Sequence, residues 1–132
     1  MVRFLGLIPE LPVSDVAATL DFYRDLLGFT VEGRHEDDFG EVTFGSVLCG
    51  EANFYFTKTD PPQRAVHCWV CVDDVESLFA ALGPRGVRIT SGVESTPWGY
   101  RQFTIEDPNG HRLSFFQFDR LPIRPCADVE RS

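Results

Sequence analysis

The chain has 132 residues, 43% of them hydrophobic, which is enough for one compact core and too short for several independent domains. A formal charge of −8 repels phosphate backbones and anionic lipid heads, so it argues against nucleic acid and the membrane surface as partners; it would suit a cationic ligand, and it equally serves solubility alone. Four cysteines are too few for a disulfide framework, the N-terminal residues lack the basic and apolar segments of a signal peptide, and no run is long enough to span a bilayer, so a cytoplasmic location is expected.

Phe4 to Val13 reads as a strand carrying Pro9 and Pro12, which confines it to a sheet edge or a subunit boundary because proline cannot donate to the ladder. Ser14 is a candidate N-cap and Asp15 suits the positive end of the helix that follows. Apolar residues from Val16 to Leu27 recur at helical spacing until Gly28 stops the run. Phe29–Glu32, Glu41–Cys49 and Ala52–Thr57 read as strands, the last two linked tightly by Gly50-Glu51. Asp60-Pro61-Pro62 is a turn-rich joint. The order then repeats: strand Ala65–Val72, helix Val75–Leu82 ended by Gly83-Pro84, strand Val87–Thr90, then strands Gln102–Ile105 and Arg112–Gln117 turned by Asp107-Pro108-Asn109-Gly110.

Val13-Ser14-Asp15-Val16 and Val72-Asp73-Asp74-Val75 open the two helical runs 59 residues apart, and each run closes on a glycine. Self-similarity of this size implies two βαβββ modules, residues 1–59 and 60–118, followed by a charged, proline-containing tail over 119–132. The predicted fold is α+β, with the two modules forming a curved, partly open mixed sheet around a cleft.

The repeated βαβββ order, the run Asp21-Phe22-Tyr23-Arg24-Asp25-Leu26-Leu27-Gly28-Phe29 and the closing Asp-Pro-Asn-Gly hairpin resemble the vicinal oxygen chelate superfamily over about residues 4–118. That superfamily includes glyoxalases, extradiol dioxygenases, metallothiol transferases and bleomycin-resistance proteins. The resemblance implies that an enzyme of this group would carry metal ligands on the first, fifth and eighth strands, with a further one on the fourth in glyoxalases. Carried onto this chain, those positions fall on Ile8, His67, Ser114 and the segment Phe54-Tyr55-Phe56. One imidazole among them is too few donors for Zn²⁺, Fe²⁺ or Mn²⁺, so no metal, no cofactor and no catalytic residue are expected.

Within the superfamily, Asp37-Asp38-Phe39, Phe54-Tyr55-Phe56-Thr57, Cys68-Trp69-Val70 and Pro97-Trp98-Gly99 look most similar to the bleomycin-resistance branch, from which Tyr100 and His67 depart. The resemblance implies a homodimer with clefts at the subunit interface and an N-terminal strand exchanged at Pro9. Alternation along the fifth strand puts His67, Trp69 and Cys71 on one face. With Trp98, Phe39, Phe54, Phe56, Tyr100 and Ser114, and with Asp37 and Asp38 as acids, they make the expected pocket for a planar cationic molecule such as a bleomycin-type drug. The expected function is sequestration of that molecule. A divalent-metal lyase or dioxygenase with His67 as one ligand is the alternative.

Cys68-Trp69-Val70-Cys71 has a redox spacing, but an odd separation on a strand sends the two thiols to opposite faces. His35 and His111 stand at turn or strand ends, where a solvated imidazole is the ordinary outcome. Asp107 and Asn109 are expected to satisfy backbone donors of their own turn.

Overall fold

The computed structural model describes residues 2–3, 5–59, 64–97 and 99–118, with Phe118 as backbone only. The joint expected at Asp60-Pro61-Pro62, the loop residue Trp98 and the tail over 119–132 lie outside the described residues. Eight strands and two helices follow the order β1 (Glu10–Val13), α1 (Val16–Asp25), β2 (Thr30–Glu36), β3 (Val42–Cys49), β4 (Ala52–Lys58), β5 (His67–Cys71), α2 (Val75–Leu82), β6 (Arg88–Ser95), β7 (Tyr100–Glu106) and β8 (Arg112–Phe118). They form two four-stranded mixed sheets, β1-β4-β3-β2 and β5-β8-β7-β6, neither closed into a barrel. Each sheet has one parallel pair, β1 with β4 and β5 with β8; its other pairs are antiparallel.

The first strand is shorter than its sequence suggested, beginning at Glu10 and lying at a sheet edge, where a proline costs no ladder bond. Helix α1 is capped by Asp15, not Ser14: the Asp15 carboxylate accepts from Ala18 N at 3.0 Å. Asp74 caps α2 in the same way through Ser77 N and Oγ, which holds its carboxyl below the ordinary carboxylate range.

Each helix covers one face of its sheet. Tyr23, Leu20 and Val16 of α1 pack on Leu11, Val47, Phe54 and Phe56, all buried. Close approach is possible because Gly45 on β3 has no Cβ; one built there would meet Leu20 side-chain carbons at 2.8 Å. Each large side chain removed from water here contributes about 1.5–3 kcal/mol. Alternation leaves the opposite, uncovered face of the first sheet to Asn53, Tyr55 and Thr57 of β4, and that of the second to His67 and Trp69 of β5 and Ser114 and Phe116 of β8.

The two halves are joined by the turn between β7 and β8. Asp107 Oδ1 accepts from Asn109 N and His111 N, both at 2.9 Å, and its Oδ2 accepts from the Tyr23 hydroxyl at 3.0 Å. Asn109 Nδ2 donates to Thr19 Oγ1 at 2.9 Å. His111, expected to be solvated, is 1% exposed. Val66 N donates to its Nδ1 at 2.9 Å, which puts the ring proton on Nε2, 2.6 Å from the Pro12 carbonyl oxygen. Burial, then the charge of Asp107, pushes the Tyr23 hydroxyl well above its ordinary pKa.

Candidate functional site: the open face of the second sheet

The open face of the second sheet gathers four of the predicted site residues. His67 and Trp69, two apart on edge strand β5, stack with ring centroids 4.6 Å apart and planes 21° from parallel, and half of Trp69 remains exposed. Beneath them runs a relay: His67 Nε2 lies 2.6 Å from Ser114 Oγ, which lies 2.7 Å from Thr104 Oγ1. Ser114 is buried, so the relay anchors the imidazole from below. Desolvation, and secondarily the Arg112 charge, holds His67 below its ordinary pKa. At neutral pH it therefore presents a flat uncharged ring continuous with the indole. Farther along the face, Tyr100 packs on Phe116 at 5.2 Å between centroids.

Two residues of this face escaped the sequence reading. Thr104 extends the hydroxyl relay. Gln102 donates to Glu94 Oε1 at 3.5 Å while its own Oε1 is buried with no partner among the described residues. The signal was there in period-2 spacing: Gln102 and Thr104 alternate with buried Phe103 and Ile105.

The remaining predicted residues lie elsewhere. Phe54 and Phe56 share a face, as expected, but it is the helix face: they are 3% and 0% exposed and pack on Tyr23 at 5.8 and 4.7 Å between centroids. Phe56 is thus core, because β4 turns its odd-numbered residues to the open side. Asp37, Asp38 and Phe39 form the turn between β2 and β3 of the first sheet. The Asp37 carboxylate accepts from Phe39 N and Glu41 N at 2.9 Å each, and Phe39 is 94% exposed.

The donor set does not fit a resident metal of the family's kind. Ile8 has no donor atom, Ser114 Oγ is engaged by His67 and Thr104, and β4 offers an amide and two hydroxyls on its open side. Among the described residues no three His, Cys, Asp or Glu side chains converge. Cys68 and Cys71 fall on opposite faces of β5, paired with Leu113 and Phe116, and burial pushes both thiols up, away from redox poise.

A concavity of about 890 Å³ lies between the halves, at the exposed edge of β5 and the β3–β4 link, bordered by Phe54 and by Trp69.

Residues 7–115 match the Glyoxalase/Bleomycin resistance protein/Dioxygenase superfamily. The chain is 27% identical to the bleomycin resistance protein of Geobacillus stearothermophilus over 130 residues, covering 83% of this chain and 94% of that protein. Among solved structures, it is similar to a bleomycin-binding protein from the bleomycin producer Streptomyces verticillus, complexed with copper(II)-bleomycin: 30% identity, TM-score 0.65, 87% of this chain and 97% of that one. It is also similar to an antibiotic binding protein from Streptomyces sp. CB03234, at 28% identity and TM-score 0.71 over 89% and 98% of the two chains. With the match spanning both sheets, the chain belongs to the glyoxalase/bleomycin resistance protein/dioxygenase superfamily.

Proposed function

We propose that this protein sequesters a planar, cationic small molecule of the bleomycin type and breaks no bond in it. The observation that carries the reading is the half-exposed Trp69, stacked on an uncharged His67 and anchored through Ser114 and Thr104 on an otherwise open sheet. Such a platform offers a π-surface to a flat ring, and the chain's net charge of −8 draws a cation towards it. The bleomycin-linked relatives support the same ligand class.

One open sheet makes a wall rather than a cleft. In this reading a second copy supplies the other wall, and its β2–β3 turn brings Phe39, Asp38 and Asp37 against the platform; that accounts for a phenylalanine standing 94% exposed on a turn. The apolar residues Leu5, Leu7 and Ile8 ahead of Pro9, also exposed, would pack on that second copy. The protein needs no metal of its own, since His67 is the one nitrogen donor at the family's ligand positions.

The test is calorimetric titration with metal-free and copper-loaded bleomycin, read together with tryptophan fluorescence, light scattering and elemental analysis. Saturable binding with altered indole emission, by a dimer lacking stoichiometric metal, is expected. Unchanged heat and fluorescence at submillimolar drug overturn the ligand assignment, a monomer overturns the shared cleft, and one metal ion per chain overturns the metal-free reading.

A further inference from the structure

The two halves of this chain meet at two junctions that pseudo-symmetry makes equivalent, and only one is sealed. Strand pairing sets the correspondence. Tyr55 pairs with Glu10 and Ser46, and Ser114 pairs with Trp69 and Thr104, so Ala52 stands where His111 stands in the other half, and Cys49 where Asp107 stands. At the sealed junction His111, Asp107 and Asn109 reach across to Pro12, Tyr23 and Thr19. At the other, the link is the shorter Gly50-Glu51. Short side chains occupy the places of the long polar ones, and leucines, Leu78 and Leu82, replace Thr19 and Tyr23 on the helix. None of these four side chains offers a polar strut like those of the sealed junction. The result is the groove of about 890 Å³, a volume within the range of drug-sized ligand sites.

We infer that this inter-module groove, which meets the His67–Trp69 platform at Trp69 and runs from there to the β3–β4 link, is a binding site for a lipophilic primary amine in its ammonium form. Its floor is apolar: Phe29, Phe54, Leu78 and Phe115 belong to the cores under both helices. Two carboxylates, Glu51 and Asp73, line it from opposite halves, and among the described residues none of the lining groups is basic. Asn53 also lines it, and its Oδ1 is buried without a hydrogen-bond partner among the described residues. At the rim the two carboxylates balance the charge of an ammonium whose carbon chain lies on the apolar floor.

Dansylcadaverine, an aromatic ring system carrying an ammonium on a pentyl tether, is the probe, with its N-acetyl derivative as a neutral control of nearly equal size. Saturable binding is expected, with dansyl emission enhanced and blue-shifted. The acetylated probe, or the Glu51→Gln/Asp73→Asn double variant, should bind about tenfold more weakly. Cys49→Trp, which places an indole at the groove wall from an exposed position, should weaken the amine by at least roughly tenfold and leave bleomycin titration unchanged, so the groove and the platform fail or succeed separately. Saturating probe should also slow maleimide labelling of Cys49 and Cys71, both of which line the groove, as read by peptide mass. No saturable binding, equal affinity for the neutral probe, or full affinity in folded Cys49→Trp each overturns the inference. So does protection of the two thiols that appears without probe and fades on dilution, because a second copy then occupies the groove.

Discussion

Two turns in this chain are built on the same hydrogen-bond pattern and end up in opposite environments. In Asp37–Glu41 and in Asp107–His111 the aspartate N–H donates to the carbonyl of the residue four ahead at 2.8 Å, the glycine N–H donates to the aspartate carbonyl at 3.1 Å, and the carboxylate accepts two further backbone N–H groups. Locally they are one structure. The first ends its carboxylate's work there and lifts Phe39 into solvent. The second sends Asp107, Asn109 and His111 into the other half of the molecule, where His111 and Asp107 are almost fully buried. A turn's own chemistry therefore says how the chain reverses, and the element it faces says whether its side chains hold the fold together or remain free for a partner.

The sharpest way to break that comparison is at its last residue. Replacing His111 by Ala strands Val66 N and the Pro12 carbonyl and opens a cavity, with an expected loss of about 3 kcal/mol in urea unfolding. Glu41→Ala, at the matching place in the exposed turn, removes an ion pair with Lys58 and should cost no more than about 1 kcal/mol. Similar losses at the two sites would end the distinction. Next in size, Asp107→Ala should cost about 2 kcal/mol, since it deletes two turn bonds and the partner of a buried tyrosine hydroxyl, against about 1 kcal/mol for Asp37→Ala, which deletes turn bonds alone.

Binding should reverse the ranking. Phe39→Ala is expected to leave unfolding unchanged within about 0.5 kcal/mol while weakening bleomycin, and Trp69→Ala to weaken it about tenfold. Calorimetry on both variants is the check, and wild-type affinity in Trp69→Ala would remove the platform from the site. The smallest expected effect is in pH. His67 titrates below its unfolded value, so the unfolded chain takes up its proton first. Stability is therefore full above about pH 6.5, falls as pH drops below that value, and levels off below the folded pKa. Arg112→Gln should move the His67 NMR titration upward; an unmoved midpoint would show that Arg112 does not act on it.

Much of the second sheet's open face was legible in the chain. Alternation along His67-Cys68-Trp69-Val70-Cys71 assigns faces without any coordinates, because side chains on a strand point up and down in strict turn. The same rule grouped Phe54 with Phe56 but could not say which face their set would occupy; that depended on α1 covering one side, and Tyr23 took both rings. Gln102 and Thr104 were passed over because an isolated polar residue on a strand looks the same whether it meets water or a neighbour's hydroxyl. His111 was misplaced for a related reason: position at a strand end suggests solvent, and only the packing of one half against the other turns that end inward.

What this sequence by itself determined is the order βαβββ twice, the Asp-x-x-Gly turns and the want of metal donors at the family's positions. All of these are set by residues within a few places of one another or by a repeat read along the chain. Tertiary structure decided which junction between the halves is sealed and which is open, and which aromatics became core and which a platform. Those outcomes depend on contacts between residues about 85–100 positions apart, such as Tyr23 with Asp107 and Pro12 with His111. Local propensity carries no information about such pairs; shape and polar complementarity across the assembled halves select them.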